Sequence, residues 1–205
     1  PDNWTPLCES LYEAYRYFAG KGVYFGDDDS DGNPERDTSV ESNGTYISPF
    51  KSCSNEISVI LMTDGEPTHD HVADSLVKDL VPEPTLGESD YHDSYLPALA
   101  RWMKNNDINS LLDGVQTSTL YTIGFKLGKE EAVNLLKEAA DEGGGKYYDA
   151  EDPSALLSSL QSALIEILKV NTSFTAPSVA SNNFDRTKTL NAVYYAMFSP
   201  NRGPR

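Results

Sequence analysis

Positive charge is scarce in this sequence. Its 205 residues include 16 Lys and Arg against 32 Asp and Glu, which gives a formal net charge of −16. A protein that binds nucleic acid or an anionic membrane surface needs clustered basic side chains to offset repulsion by phosphate, and the sequence has no basic stripe. We therefore expect no nucleic acid and no anionic membrane among its partners.

Long apolar runs and cysteines are also few. The longest apolar run, residues 57–62, is interrupted by Ser58 and is far shorter than the roughly 20 residues of a membrane-spanning helix. Two cysteines, Cys8 and Cys53, are too few for a disulfide-dense scaffold. They leave two alternatives open, a pair of buried thiols or one disulfide in an exported protein.

Strand and helix patterns alternate along the chain. Residues 56–63, rich in Ile, Val and Leu, predict a strand covered on both faces, and further strands are predicted at 119–125 and 146–149. Helices are predicted from Thr5, through Leu96 to Met103, along Ala132 to Ala139 with Gly143 to Gly145 as the stop, and from Asp152 onward with a Leu-rich stripe. This alternation predicts an α/β fold with a parallel sheet.

Three segments lack a sustained apolar period. Residues 26–54 and 69–93 are predicted to be irregular loops. Residues 171–205 are predicted to be a linker with a single strand at 192–198. The three histidines lie in the second loop and are interpreted as solvated surface, and we find no nucleophile beside an oriented base.

An acidic turn follows the strand at 56–63. Ligands of open parallel sheets bind beyond the carboxyl ends of the strands, which is where Asp64 would project. The Asp64 carboxylate, the Thr5 hydroxyl at the head of the first helix and water molecules are suitable ligands for a hard divalent cation. Alternatively, Thr5 is only a helix N-cap and Asp64-Gly65 only a turn. The pattern leaves both interpretations open.

A second acidic segment resembles the first half of a calcium-binding loop. Its carboxylates alternate along the chain and are followed by Gly32, which permits the sharp turn of such loops. Thr38 occupies the position at which a closing Glu is expected, so nearer residues would have to complete the shell. The candidate Ca²⁺ ligands are Asp27, Asp29, Asp31, Asn33, Glu35 and Asp37. The alternative is a plain solvated insertion.

Five separated blocks carry a family resemblance. They are, in order, TPLCESLYEAYRYF, LMTDGEPTHD, TLYTIGF, EGGGKYYDA and FTAPSVASNNFDR. Together they resemble the von Willebrand factor A (vWA) domain of the PilY-type tip adhesins of bacterial type IV pili. The resemblance implies a Rossmann-like, open, mainly parallel sheet with helices on both faces over residues 1–170. It also implies that residues 171–205 are a linker and the first strand of a β-propeller-like domain.

The resemblance implies a metal-ion-dependent adhesion site. Such a site binds Mg²⁺ or Mn²⁺ through three loops, of which Thr5 matches the second and Asp64 the third. The D-x-S-x-S motif of the first loop does not occur in these residues. We therefore expect the N-terminal part of the domain to be missing from this chain and the metal site to be incomplete in it.

The function implied is metal-dependent adhesion and assembly, not catalysis. An exported pilus tip protein would bind minor pilins or the ligands of host and abiotic surfaces, and would support pilus extension at the bacterial cell surface or outer membrane. Export favours a disulfide between Cys8 and Cys53. Two alternatives are a vWA docking subunit of an intracellular ATPase machine and a metal-dependent phosphatase. The latter would use Asp64 and Glu66, but its turn lacks the Lys and the second acidic cluster that surround a phosphate.

Overall fold

The computed structural model describes residues 5–26, 37–51, 55–68, 70–82 and 94–170, together with two later strands. The helices are α1 Leu7–Phe18, α2 Asp74–Leu80, α3 Leu96–Asn105, α4 Glu130–Glu142 and α5 Pro153–Val170, and a 3₁₀ turn spans Thr38–Val40. The strands are β1 Glu41–Ser42, β2 Thr45–Tyr46, β3 Glu56–Thr63, β4 Thr117–Phe125, β5 Gly144–Ala150, β6 Phe174–Val179 and β7 Val193–Phe198. The chain divides into two compact units, Pro1–Ala163 and Leu164–Arg205.

The first unit is built on a parallel three-stranded sheet in the order β3-β4-β5. Glu56 lies opposite Thr117 and Thr63 opposite Gly124, so β3 and β4 run in register over the whole length of β3. Strand β4 is central and is buried along nearly its whole length. The three predicted strands and the α/β class are therefore confirmed, with helices flanking a parallel sheet.

The prediction that residues 56–63 are covered on both faces holds only in part, because the residues from Ile57 to Leu61 are half-buried rather than buried. Within the described residues β3 pairs only with β4, so it is an edge strand. Met62 is 52% exposed, and Thr63 is the one buried residue of this strand. The half-buried residues that pack on the core are Ile57, Val59 and Leu61. An apolar run indicates that other elements can pack on a strand. Whether that strand lies at the centre or the edge of the sheet depends on which other strands are present.

One apolar core joins the helices to the sheet. Leu11 of α1, Leu99 of α3 and Leu135 of α4 are buried in the same cluster, to which Leu120 of β4 contributes. Complete burial of each such side chain stabilises the fold by roughly 1.5–3 kcal/mol. The Thr122 hydroxyl donates to the Leu136 carbonyl at 2.8 Å and ties β4 to α4.

The glycine run ends α4 and also begins β5. Helix α4 stops at Glu142, as predicted, but Gly144 and Gly145 already belong to the strand. A Cβ atom on Gly145 would overlap the carbonyl oxygen of Leu120. Only glycine lets β5 approach the central strand so closely at this point.

Two segments predicted to be irregular contain regular elements. Residues 26–54 include the β1–β2 hairpin, whose turn residues Asn43 and Gly44 have φ values of 52° and 74°. This is the Asn-Gly signature of a two-residue hairpin turn, which the sequence interpretation overlooked. Residues 69–93 include α2, which is only seven residues long and therefore shows little periodicity.

The second unit contains an antiparallel pair of strands. Phe174 lies opposite Phe198 and Val179 opposite Val193. The predicted strand near the end of the chain is confirmed as β7. The prediction of a linker is wrong in part, because the segment contains β6. Pro177 lies in this strand and has no amide hydrogen to donate to a neighbouring strand, so the sequence pattern argued against a strand there. Among the residues described, no helix combines the length and apolarity needed to cross a membrane.

Candidate functional site

A cavity of about 410 Å³ opens where β3 and β4 reach their carboxyl ends. Four polar and six apolar residues line it: Thr5, Pro6, Leu7, Ser10, Leu61, Met62, Thr63, Asp64, Phe125 and Leu156. The head of α1, the end of β3 with the turn after it, the end of β4 and the first turn of α5 supply these side chains. The structure thus brings Thr5 and Asp64, which are 59 positions apart (64 − 5), to one cavity.

Thr5 is held by the backbone rather than by a helix cap. Its amide donates to the Thr68 carbonyl at 3.3 Å, and the Thr68 amide donates to the Thr5 carbonyl at 3.2 Å. Helix α1 begins at Leu7 with Pro6 as its N-cap and without a capping side chain, so the prediction of a helix start and N-cap at Thr5 is wrong. The pyrrolidine ring at Pro6 favours an extended residue before it, and Thr5 adopts the bridge instead.

The Thr5 hydroxyl faces the turn that carries Asp64. A Cβ atom on Gly65 would lie 3.6 Å from the Thr5 Oγ1 atom, in ordinary van der Waals contact. The Thr63 hydroxyl fixes this turn, because it donates to the Gly65 carbonyl at 3.0 Å and accepts from the Gly65 amide at 3.2 Å. Hydrogen bonds between residues close in sequence therefore fix the backbone turn at Asp64.

The Asp64 carboxylate is exposed. Within the described part of the chain we find no hydrogen bond and no ion pair to its oxygens. Since the turn is fixed by Thr63 rather than by Asp64 itself, both carboxylate oxygens are available to a ligand. An exposed carboxylate beside an uncommitted hydroxyl is a suitable pair of oxygen donors for a hard cation.

A lysine that the sequence interpretation missed lies at the same edge. Lys129, from the loop between β4 and α4, places its Nζ atom 2.5 Å from Glu66 Oε2. The hydrogen bond that Lys129 donates to Glu66 raises the pKa of Lys129. Glu66 is thereby paired with a cation, and a Lys lies near the turn, where the sequence interpretation found none. No local pattern could have revealed this pair, because the two residues are 63 positions apart.

The candidate calcium ligands fall largely outside the described residues. Only Asp37 is described, whereas Asp27, Asp29, Asp31, Asn33 and Glu35 are not. The Asp37 carboxylate accepts a hydrogen bond from the Ser39 amide at 2.9 Å and caps the 3₁₀ turn. Hydrogen bonds from the Ser39 side chain and then from the Ser39 amide lower the pKa of Asp37. The calcium loop stays a prediction.

The predicted disulfide also involves a residue outside the described part. Cys8 is a free thiol with 0% exposure, and Cys53 is not described. Burial, followed by the negative charges of Asp70 and Glu9, raises the pKa of the Cys8 thiol well above its ordinary value. The pairing of these cysteines stays a prediction.

Two of the described residues at the cavity carry oxygen atoms that could bind a metal ion. Among the described residues, no three His, Cys, Asp or Glu side chains gather into a metal-binding group. Thr5 and Asp64 contribute one neutral and one charged oxygen donor, so water molecules or another segment would have to supply the other ligands. Comparisons of the chain with models of protein families, with characterised proteins and with solved structures find no match.

Proposed function

We propose that this chain is the vWA part of a PilY-type pilus tip protein and that it acts as a metal-dependent adhesion and assembly module. The observation that carries the proposal is the cavity at the carboxyl edge of a parallel sheet, which the Thr5 hydroxyl and an unpaired Asp64 carboxylate both line. The two positions that match the family's second and third metal loops thus meet at one place.

The donor set fits recognition better than turnover. Mg²⁺ or Mn²⁺, when bound, would keep most of its positive charge, because Thr5 is neutral and Asp64 neutralises only one unit. Such an ion offers open positions to a carboxylate of a partner. Minor pilins, or ligands on host and abiotic surfaces, are the partners that the proposal assigns, with the protein exported to the bacterial cell surface.

Strand β3 has one neighbouring strand among the described residues, β4, and its other edge supports the proposal that a further segment contributes the first metal loop. β3 ends at the cavity, and Met62, half exposed, lines it beside Asp64. A further parallel strand paired with β3 would end at the same edge of the sheet as Asp64. A D-x-S-x-S loop after that strand would therefore add its oxygens to those of Thr5 and Asp64.

Calorimetric titration with Mg²⁺ and Mn²⁺ tests the proposal. We expect weak binding by residues 1–205, because magnesium gives up its own waters reluctantly for two protein ligands. A longer chain that includes an upstream D-x-S-x-S segment should bind more tightly. In that longer chain Asp64→Ala should abolish the gain, whereas Asp141→Ala, which removes an exposed carboxylate on α4, should not.

Two results would overturn the metal assignment. One is equal affinity in the two chains. The other is tight binding in the longer chain that survives Asp64→Ala, which would place the ion elsewhere, with residues 27–37 as the next candidate. Adhesion of the longer chain that is indifferent to removal of divalent cations would overturn metal-dependent binding itself.

A further inference from the structure

The β1–β2 hairpin carries an asparagine in the sequence context of an N-glycosylation site. Residues 41–45 read Glu-Ser-Asn-Gly-Thr, so Asn43 is followed two positions later by the hydroxyl of Thr45. An Asn-x-Ser/Thr triplet without proline in the middle is the acceptor sequence for N-linked glycans in exported proteins. The turn itself accounts for Asn43 and Gly44, but a two-residue turn does not require a hydroxyl at Thr45.

The structure presents this asparagine at the surface. Asn43 and Gly44 are exposed, and so is Thr45. Asn43 has a φ of 52° and Gly44 a φ of 74°, and the chain reverses direction over these two residues. An Asn-linked oligosaccharide is bulky and polar, so it needs a position from which it can extend into solvent. The exposed turn of this hairpin is such a position.

Contacts behind the turn hold the hairpin on the first unit. The Val23 amide donates to the Gly44 carbonyl at 3.0 Å, and the Tyr46 amide donates to the Lys21 carbonyl at 3.0 Å. The Tyr46 hydroxyl donates to a carboxylate of α1 at 2.7 Å. These contacts are made by the backbone and by the Tyr46 side chain, so a glycan on the Asn43 side chain would leave them intact.

The hairpin and the cavity lie at opposite ends of α1. Leu7, the first residue of α1, lines the cavity. At the other end of the helix, the Phe18 carbonyl accepts a hydrogen bond at 2.6 Å from the hydroxyl of Ser48, two residues after β2. The 12 residues of α1 span about 18 Å at 1.5 Å per residue. The first sugar of a glycan on Asn43 would therefore leave the cavity accessible.

An acidic residue two positions before the asparagine distinguishes Asn43 from the other acceptor triplets of the sequence. Two further triplets occur, at residues 3–5 (NWT) and 171–173 (NTS), and a proline and a lysine occupy the corresponding position before them. Before Asn43 this position is Glu41, which is partly exposed. Oligosaccharyltransferases of the bacterial class select acceptors that have Asp or Glu at this position in addition to the Ser or Thr.

We propose that Asn43 is an N-glycosylation site, to which an oligosaccharyltransferase of the bacterial class transfers an oligosaccharide from a polyprenyl diphosphate carrier. The Asn43 Nδ2 atom forms a bond to C1 of the first sugar and loses one proton. The C1–O bond to the diphosphate breaks, and polyprenyl diphosphate leaves. The inference rests on the export that the proposed function includes, because this transfer takes place outside the cytoplasm, but it does not depend on a bound metal.

Glycan transfer to the folded full chain provides the test. The purified chain is incubated with a bacterial oligosaccharyltransferase and an undecaprenyl-diphosphate-linked oligosaccharide, and intact mass and peptide mapping locate the product. We expect one glycan, on Asn43, and none on residues 3 and 171. Asn43→Gly should abolish transfer and preserve the turn, because glycine readily adopts the positive φ of this position. Thr45→Val should also abolish transfer, whereas Thr45→Ser should retain it.

Glu41 provides a matched pair of variants. Glu41→Gln should reduce transfer to background, whereas Glu41→Asp keeps the acid and should retain transfer; circular dichroism checks that each variant is folded. Absence of transfer to the folded chain, or transfer only after denaturation, would overturn the proposal. So would modification of residue 3 or 171 in place of Asn43, or transfer that is unchanged in Glu41→Gln. A failure of metal binding would leave these outcomes unchanged, since the assay measures only glycan transfer.

Discussion

Thr5 and Thr68 exchange both of their backbone hydrogen bonds, and the Thr68 hydroxyl accepts a further bond from the Thr5 amide at 2.9 Å. This bridge joins Thr5, two residues before α1, to the segment that follows the Asp64 turn. It determines which residues surround the cavity, because the chain on either side of it carries Thr5 and Asp64 to the same edge of the sheet.

The Thr68 side chain should stabilise the bridge measurably. Thr68→Val removes the hydroxyl acceptor and preserves the backbone bonds, so we expect the free energy of unfolding to fall by about 0.5–1 kcal/mol. Urea denaturation measures the change. Thr68→Ser keeps the hydroxyl and should unfold close to the original protein. Equal midpoints for the two variants would show that the hydroxyl contributes nothing.

Close approach of β5 to β4 makes Gly145 irreplaceable. Gly145→Ala places a methyl group against the Leu120 carbonyl of the central strand, and we expect a loss of about 3 kcal/mol or more, or failure to fold. Gly128→Ala is the control, because a Cβ atom there meets no other atom within 4 Å. The control should change stability by less than about 0.5 kcal/mol. Tolerance of Gly145→Ala would contradict the observed β4–β5 register.

The start of α5 depends on one carboxylate. Asp152 accepts from the Ser154 amide at 2.8 Å and from the Ala155 amide at 2.9 Å. Asp152→Ala should lower the free energy of unfolding by about 1 kcal/mol, whereas Asp152→Asn, also a good N-cap residue, should preserve most of it. Thermal or urea unfolding followed by circular dichroism compares them. A neutral Ala variant would mean that the cap is dispensable.

The same substitution on two helices tests which leucines the fold buries. Leu135 of α4 is 0% exposed and Leu157 of α5 is 58% exposed. Leu135→Ala should cost about 2–5 kcal/mol of unfolding free energy, and Leu157→Ala less than about 0.5 kcal/mol. Equally large losses would show that the exposed side of α5 is covered in solution by another surface.

The disulfide expected from the resemblance can be tested by counting free thiols. Protein produced under oxidising conditions should show no free thiol in denaturant if Cys8 and Cys53 pair as the resemblance implies. The bond would close a loop of 45 positions (53 − 8), for which the chain-entropy model gives about 4 kcal/mol of stabilisation. Reduction should lower the unfolding midpoint accordingly. Two free thiols after oxidation would reject the pairing.

Short-range sequence features were sufficient to predict the position of several helices and strands. The run of Ile, Val and Leu at β3 and the polar residues around it predicted the strand at the same bounds as the structure, Glu56–Thr63. Asp152 and Pro153 predicted the start of α5, because capping and a fixed φ act within one helical turn. The Asn43-Gly44 turn carried an equally local signal, which the sequence interpretation overlooked.

The site itself depends on contacts between distant segments. The sequence determined that Asp64 follows a strand and that Thr5 precedes a helix, since both facts are local. Only the tertiary structure decided that Thr5 bridges Thr68 instead of capping α1, that β3 lies at an edge, and that Lys129 pairs with Glu66. It also decided that Glu9 and Asp70 are buried, each accepting backbone hydrogen bonds from the segment that carries the other. A charged side chain in a sequence is expected in water, and its burial is set by the partner that folding brings to it from far along the chain.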